Sequence, residues 1–206
     1  MIRVAIDIND TIRAFTNQYA LQYQKLNFFD KNFNINNLIY DGDDMYSPFN
    51  FKSLKEREDF QYIDYSFEIY GSAKCIDKNI PGMFNVWRND IEDTEKEEDI
   101  EISIIGGDEN ELSIQATLFF LSKNCTRVRN IEFPKSSEEI WNKFDMVVTA
   151  DPRIIKTIPE NKLVIRINTT YNEGSWVGEN RMLISYDTFI QFLENKPNYS
   201  KFLKLK

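Results

Sequence analysis

Six short runs of aliphatic and β-branched residues punctuate this 206-residue chain: IRVAI from Ile2, IEISII from Ile100, RVRNIEF from Arg127, DMVVTA from Asp145, KLVIRI from Lys162 and RMLIS from Arg181. Runs this short, with little polar alternation, predict strands buried on both faces, the mark of a parallel sheet. Parallel neighbours need crossovers, and helical stripes lie between several of the runs. Ile12, Phe15, Tyr19, Tyr23 and Leu26 recur at three- and four-residue spacing, which predicts a helix of about 15 residues. Leu112, Ala116, Phe119 and Phe120 form a second stripe, EIWNKF a third, and YDTFIQFLENK a last one. Strands and helices in this order predict an α/β fold in three layers, a parallel sheet with helices on both faces.

Local signals fix several boundaries. Asp108 followed by Glu111, and Ser136 followed by Glu139, have the spacing of a capping box ahead of a helix. DMVVTA reads as a buried strand that stops at Asp151-Pro152, since proline has no N–H to carry the ladder on.

Residues 28–80 have a different texture. FFDKNFNINNLIYDGDDMYSPFNF is rich in rings and turn formers without a sustained period. A stripe of Leu54, Phe60, Ile63, Phe67 and Tyr70 then predicts a helix ending near Gly71. This stretch reads as a small cap inserted into a core made of residues 1–27 and 81–206. A helix from about Pro81, carrying Met83, Trp87 and Ile91, and the solvated acidic run EDTEKEEDIE at 92–101 lead back to the core. Aromatic residues make up 14% of the chain; the cluster in the insertion reads as local core or as contact anchors.

Composition narrows the chemistry. The chain has no histidine, and its two cysteines, Cys75 and Cys125, stand apart; a zinc site, a Ser-His-Asp triad and a histidine base are excluded within it. A net charge of −8 disfavours an extensive nucleic-acid surface, since phosphate binding relies on Lys and Arg. No apolar stretch approaches the roughly 20 residues of a membrane helix, and no basic-then-apolar leader opens the chain. The expectation is a protein that is not membrane-bound and not secreted by a signal peptide.

In a parallel sheet, ligands bind beyond the carboxyl ends of the strands. Asp7, Gly106-Gly107 and Asp151 fall there. Two carboxylates at one edge repel unless a cation or a raised pKa relieves them, and Mg²⁺, held by oxygen and often by one or two protein carboxylates, is the natural partner. Glycines ahead of a helix can form a modest anion nest. The plainer readings are that Asp7 caps the following helix, with Asp10 and Thr11 as competing caps, that Gly106-Gly107 is a tight turn, and that Lys143 is a solvent-facing helix residue.

VAIDINDTI resembles the first motif of the haloacid dehalogenase-like superfamily, an apolar strand followed by Asp-x-Asp-x-Thr or Val. FDMVVTADPRI with VIRINTTYN is similar to its fourth motif and the following strand, especially in the deoxyribonucleotidase-like branch, and the aromatic insertion sits where that branch carries a small helical cap. The resemblance implies a Rossmann-like core and a set of roles. Asp7 would be the nucleophile, Asn9 would stand at the general-acid position, and Lys143 would be the basic residue of the third motif. Gly106 and Gly107 would face the phosphate. Asp7, the Asn9 backbone carbonyl and Asp151 would hold Mg²⁺. The set departs from the family's pattern at three places. Asn9 replaces the acid, Gly106 replaces a Ser or Thr, and TADP offers one carboxylate where two are usual. Asp43 and Asp44 are the insertion's candidates to replace the missing acid.

Two functions follow. In the first, the phosphatase site is degenerate and the fold serves as a structural or interaction subunit, oligomeric with other protein subunits. The composition and the DINDTIR variant also resemble proteins of crAss-like phages, which would place it in a virion tail; otherwise the cytoplasm is expected. In the second, it is a Mg²⁺-dependent phosphohydrolase, 5′-nucleotidase-like, that attacks a small phosphorylated substrate through an aspartyl phosphate.

Overall fold

A computed structural model describes residues 2–27, 33–78, 80, 100–106, 110–124, 130–175 and 181–184. Six parallel strands form one sheet: β1 (Ile2–Asp7), β2 (Ile100–Ile105), β3 (Ile131–Glu132), β4 (Met146–Thr149), β5 (Leu163–Ile167) and β6 (Arg181–Ile184), in the order β3-β2-β1-β4-β5-β6. The order reverses direction at β1 and β4, whose register sets Val4 beside Met146 and Ile6 beside Val148. The carboxyl ends of these two strands are therefore the topological switch point, where such sheets bind ligands.

Alternate side chains divide the core between the two faces. Val4, Ile6, Met146, Val148 and Ile165 pack with Phe120 and Leu121 of α3 (Ile114–Asn124). Ala5, Val147 and Val164 pack on the other face with Ile140 and Trp141 of α4 (Ser137–Lys143) and Ile154 and Ile155 of α5 (Pro152–Lys156). Burial on both faces is what the apolar runs predict. The Ser136 hydroxyl caps α4 by accepting from the Glu139 amide at 3.1 Å. Asp151 caps α5, accepting from the Arg153 amide at 2.7 Å, so Asp-Pro begins a helix as well as ending a strand. The box expected at Asp108 lies outside the described residues; ahead of α3, the Asn110 side chain accepts from the Leu112 and Ser113 amides instead. The helix from Pro81, the acidic run at 92–99, Cys125 and the last helical stripe also lie outside them.

The insertion leaves and rejoins the core through a narrow stem. Arg13 pairs with Cys75 in an antiparallel bridge, the Ala14 amide donates to the Lys74 carbonyl at 2.9 Å, and the Ile76 amide donates to the Ile12 carbonyl at 2.9 Å. These pairings put the crossing at residues 13–14 and 74–75, where the sequence boundaries were drawn at 28 and 80. Helix α1 (Phe15–Leu26) begins after the crossing, and its buried residues Phe15, Tyr19 and Tyr23 join Phe49, Phe60 and Tyr70 in one aromatic cluster. Tyr19 packs its ring 4.8 Å from Phe49 and 5.2 Å from Phe60. Ile12, expected on this helix, belongs to the turn before it and to the sheet's core.

The predicted 54–71 helix is present in altered form. It opens as α2 (Leu54–Glu58) and widens into i→i+5 turns over Asp59–Asp64 and Phe67–Gly71. The wider turns rotate the apolar stripe. Phe60, Ile69 and Tyr70 are buried, while Leu54, Ile63 and Phe67 of the expected stripe are 59%, 62% and 50% exposed. No helix among the described residues is long and apolar enough to cross a membrane.

Candidate functional site

Strand β1 delivers Asp7 to the switch point, where it is 2% exposed. One carboxylate oxygen accepts from the Thr149 hydroxyl at 2.6 Å and the other from the Asn9 amide at 3.4 Å. Asp7 does not cap α1. Thr149 also accepts from the Asp151 backbone amide at 2.9 Å, so one hydroxyl at the end of β4 ties the two acidic strand ends together. Asp7, Asn9, Asp151, Met45, Arg153 and Tyr171 line a crevice of about 10 Å³, room for about one water.

Beyond Asp7 the chain makes one wide turn: the Ile12 and Arg13 amides both donate to the Ile8 carbonyl, at 3.1 and 2.8 Å. Asp10 sits at its tip with φ of 51°, a left-handed conformation that Asp tolerates better than most residues. Its carboxylate points away from Asp7. It accepts from the Thr16 amide at 2.9 Å, from the Thr16 hydroxyl, and from the Tyr171 hydroxyl at 2.8 Å. It therefore serves as a remote cap for α1, whose own cap position, Ala14, has no side-chain acceptor. Burial raises the Asp10 pKa above the usual carboxylate value, against the opposing pull of Thr16, Tyr171 and the Arg13 charge. Burial and the neighbouring Asp10 together push the Tyr171 phenol well above its ordinary value.

Asn9 has a structural duty. Its Oδ1 accepts two hydrogen bonds from the Arg13 guanidinium, from Nε at 3.0 Å and Nη2 at 2.5 Å. Arg13 is wholly buried. Its Nη1 donates to the Tyr70 carbonyl at 3.0 Å and the Thr117 hydroxyl at 2.9 Å, and the guanidinium lies 4.9 Å from the Tyr70 ring centre and 5.5 Å from that of Phe120. The donors on Arg13 fix the amide orientation, since only oxygen can face them. Nδ2 of Asn9 is left buried without a hydrogen-bond partner.

The remaining predicted residues fare unevenly. Asp151 reaches the crevice, but both its oxygens are engaged by Arg153, with Nε at 3.0 Å from each and Nη2 at 2.6 Å from Oδ2. Lys143 ends α4, is half exposed, and pairs with Glu132; it does not line the crevice. Gly106 donates its amide to the Glu132 carbonyl at 2.9 Å, so that N–H belongs to the sheet and not to an anion nest. Gly107 lies outside the described residues. Asp43 pairs with Lys156, and neither Asp43 nor Asp44 lines the crevice.

A magnesium ion at this point would need Asp7, the Asn9 carbonyl and Asp151 around it, with several waters completing an octahedron. The Asp151 carboxylate is not open to one as it stands: Arg153 engages both of its oxygens, so a cation could take Asp151 only in place of that guanidinium. Thr149, Arg153, Arg13 and Tyr171 are the functional-site residues that the sequence reading missed. An arginine between Ile12 and Phe15 is the legible signal among them, since a charge in an apolar stretch needs buried partners.

No protein-family model and no curated protein matches this sequence. Solved structures do match in shape. A haloacid dehalogenase-like hydrolase from Bacteroides fragilis superposes with a TM-score of 0.58 at 12% identity, over 91% of this chain and 98% of that one. A hydrolase from Pseudomonas syringae gives 0.54 at 7% identity, over 95% and 99%. At these identities the likeness is one of architecture: the chain has the haloacid dehalogenase-like fold, a Rossmann-type parallel sheet between helices.

Proposed function

We propose that this chain is a non-hydrolytic protein on a haloacid dehalogenase-like fold, acting as a structural or interaction subunit. The observation that carries this reading is the Asn9 side chain. Its oxygen is held by the buried Arg13 guanidinium, so the position that would protonate a leaving group holds an amide with no proton to give and a fixed load to bear. Acid-base assistance typically contributes about 10² to 10⁴ in rate. Arg153 across Asp151 and the narrowness of the crevice support the same reading. Phe67 and Phe119, about half exposed with ring centres 5.0 Å apart, are apolar surface of the kind a subunit presents. A virion tail is the setting that the resemblance to crAss-like phage proteins suggests.

The test is phosphate release from an aryl phosphate and a panel of nucleoside monophosphates with Mg²⁺, beside Asp7→Asn. Release equal in the two proteins is expected. Turnover that disappears in Asp7→Asn would overturn the reading in favour of the phosphohydrolase.

A further inference from the structure

A second cavity, of about 530 Å³, opens beside the Asp7 crevice and shares Tyr171 with it. One wall is α1 and residues 35–40 of the insertion; the other is the end of β5 and the turn at 168–171. Its size falls within the range of small-molecule sites. We propose that this cavity binds an uncharged sugar ring, either a free saccharide or the sugar of a nucleoside.

The lining carries the reasoning. No Lys or Arg is among the described residues that line it, so a phosphate or carboxylate would enter without a counter-charge. The one ionisable carboxyl, Asp10, already accepts from Thr16 and Tyr171 and forms part of the wall rather than a free anion. Amides dominate the polar lining: Asn17, Asn36 and Asn37 from the insertion and Asn168 from the core, with Thr169 and Thr170 beside them. The Asn17 and Asn37 side chains are exposed and make no hydrogen bond to a described residue. An amide both donates and accepts, as each sugar hydroxyl does, so opposed amides can grip a ring of hydroxyls from either side. Apolar patches from Leu38, Ile76 and the Tyr40 ring supply the surface against which the C–H face of a sugar packs. Tyr40 is held in place by Tyr171, ring centres 5.8 Å apart.

The proposal does not rest on the reading of the Asp7 crevice, and its test involves no phosphate release. Full-length protein is titrated with glucose, galactose, N-acetylglucosamine, adenosine and uridine, with glucose 6-phosphate for comparison, by saturation-transfer NMR and calorimetry. At least one uncharged compound is expected to bind, with affinity at least tenfold weaker in Asn17→Ala/Asn37→Ala and abolished in Asn17→Trp, which fills the mouth. Circular dichroism verifies that the exposed substitutions leave the fold intact. A nucleoside that binds where free saccharides do not identifies the source, and the reverse identifies the other. The proposal is overturned by no binding at about 10 mM, above the millimolar range of weak ligands, by binding that both variants retain, or by tighter binding of the phosphorylated sugar.

Discussion

Arg13 is the residue on which the stem of the insertion, the first loop and α3 all converge, and its removal is a direct test of that role. The guanidinium donates to Asn9 Oδ1, the Tyr70 carbonyl and the Thr117 hydroxyl. Hydrogen bonds to a charged group are worth about 1.5–3 kcal/mol each, so three acceptors stand to lose roughly 4–9 kcal/mol gross. Relief of the desolvation cost of a buried cation returns several kcal/mol. A net loss of about 3–5 kcal/mol is expected for Arg13→Ala, because three neutral acceptors are left buried without this donor, at about 1–3 kcal/mol each before the desolvation relief. In a chain of this length that lowers the melting temperature by roughly 6–20 °C. Urea denaturation followed by circular dichroism measures it, with Thr117→Val and the double variant completing a cycle. Residues in contact couple by about 0.5–3 kcal/mol. A loss under about 1 kcal/mol, or strict additivity with Thr117→Val, would refute the assignment of Arg13 as the strut.

Two further outcomes follow, one from the same loop and one from the crevice beside it. Asp10 has a raised pKa in the folded state, so folding takes up a proton there, and the associated stability, full below the unfolded value near 3.8, is lost as pH rises toward the folded value. The stability of the native protein relative to Asp10→Asn should therefore fall as pH rises above about 3.8 in urea melts; a difference that is flat or rises with pH contradicts the burial argument. Arg153→Ala removes the cation from Asp151 and a wall from the crevice. Calorimetry should detect Mg²⁺ binding in this variant and none in the native protein, and equal behaviour of the two would show that Arg153 is not what keeps the ion out.

The sheet was legible because its physics is local. Runs such as VAI and MVV are apolar on both faces, so β1 and β4, and the acids at or just past their ends, follow from the local sequence. The Ser136 cap was legible for the same reason, since its donor lies three residues away. What failed was whatever depended on distant partners. Asp10, one of the competing caps read in the sequence, does cap α1, but from the tip of a turn six residues before Thr16 rather than from the cap position, which is Ala14. The stripe at 54–71 has helical spacing, but the wide turns move Ile63 and Phe67 to the surface, because a stripe specifies one face only if every turn has the same width. The stem at 13 and 75 is a pairing across 62 residues (75 − 13), and no periodicity reports it. Lys143 entered the site by resemblance only; the plainer reading, a solvent-facing helix residue, is what the structure has, half exposed and paired with Glu132 of β3.

The form of the first loop can persist without its chemistry because the fold needs it for another purpose. Asn9, Asp10 and Arg13 each direct a polar group to a different element: Asn9 to the guanidinium, Asp10 to α1 and the 168–171 turn, Arg13 to Tyr70 of the insertion and Thr117 of α3. An acid at position 9 would put a third carboxylate within one turn of Asp7 and Asp10, and Arg13 alone would have to offset the repulsion. With an amide there, Arg13 receives an acceptor of the right shape while the nearby charges reduce to Asp7 and the high-pKa Asp10. The amide at position 9 thus offers no proton and completes the strut at the same time. A loop under that double constraint keeps the outline DINDTI whether or not anything is hydrolysed at Asp7.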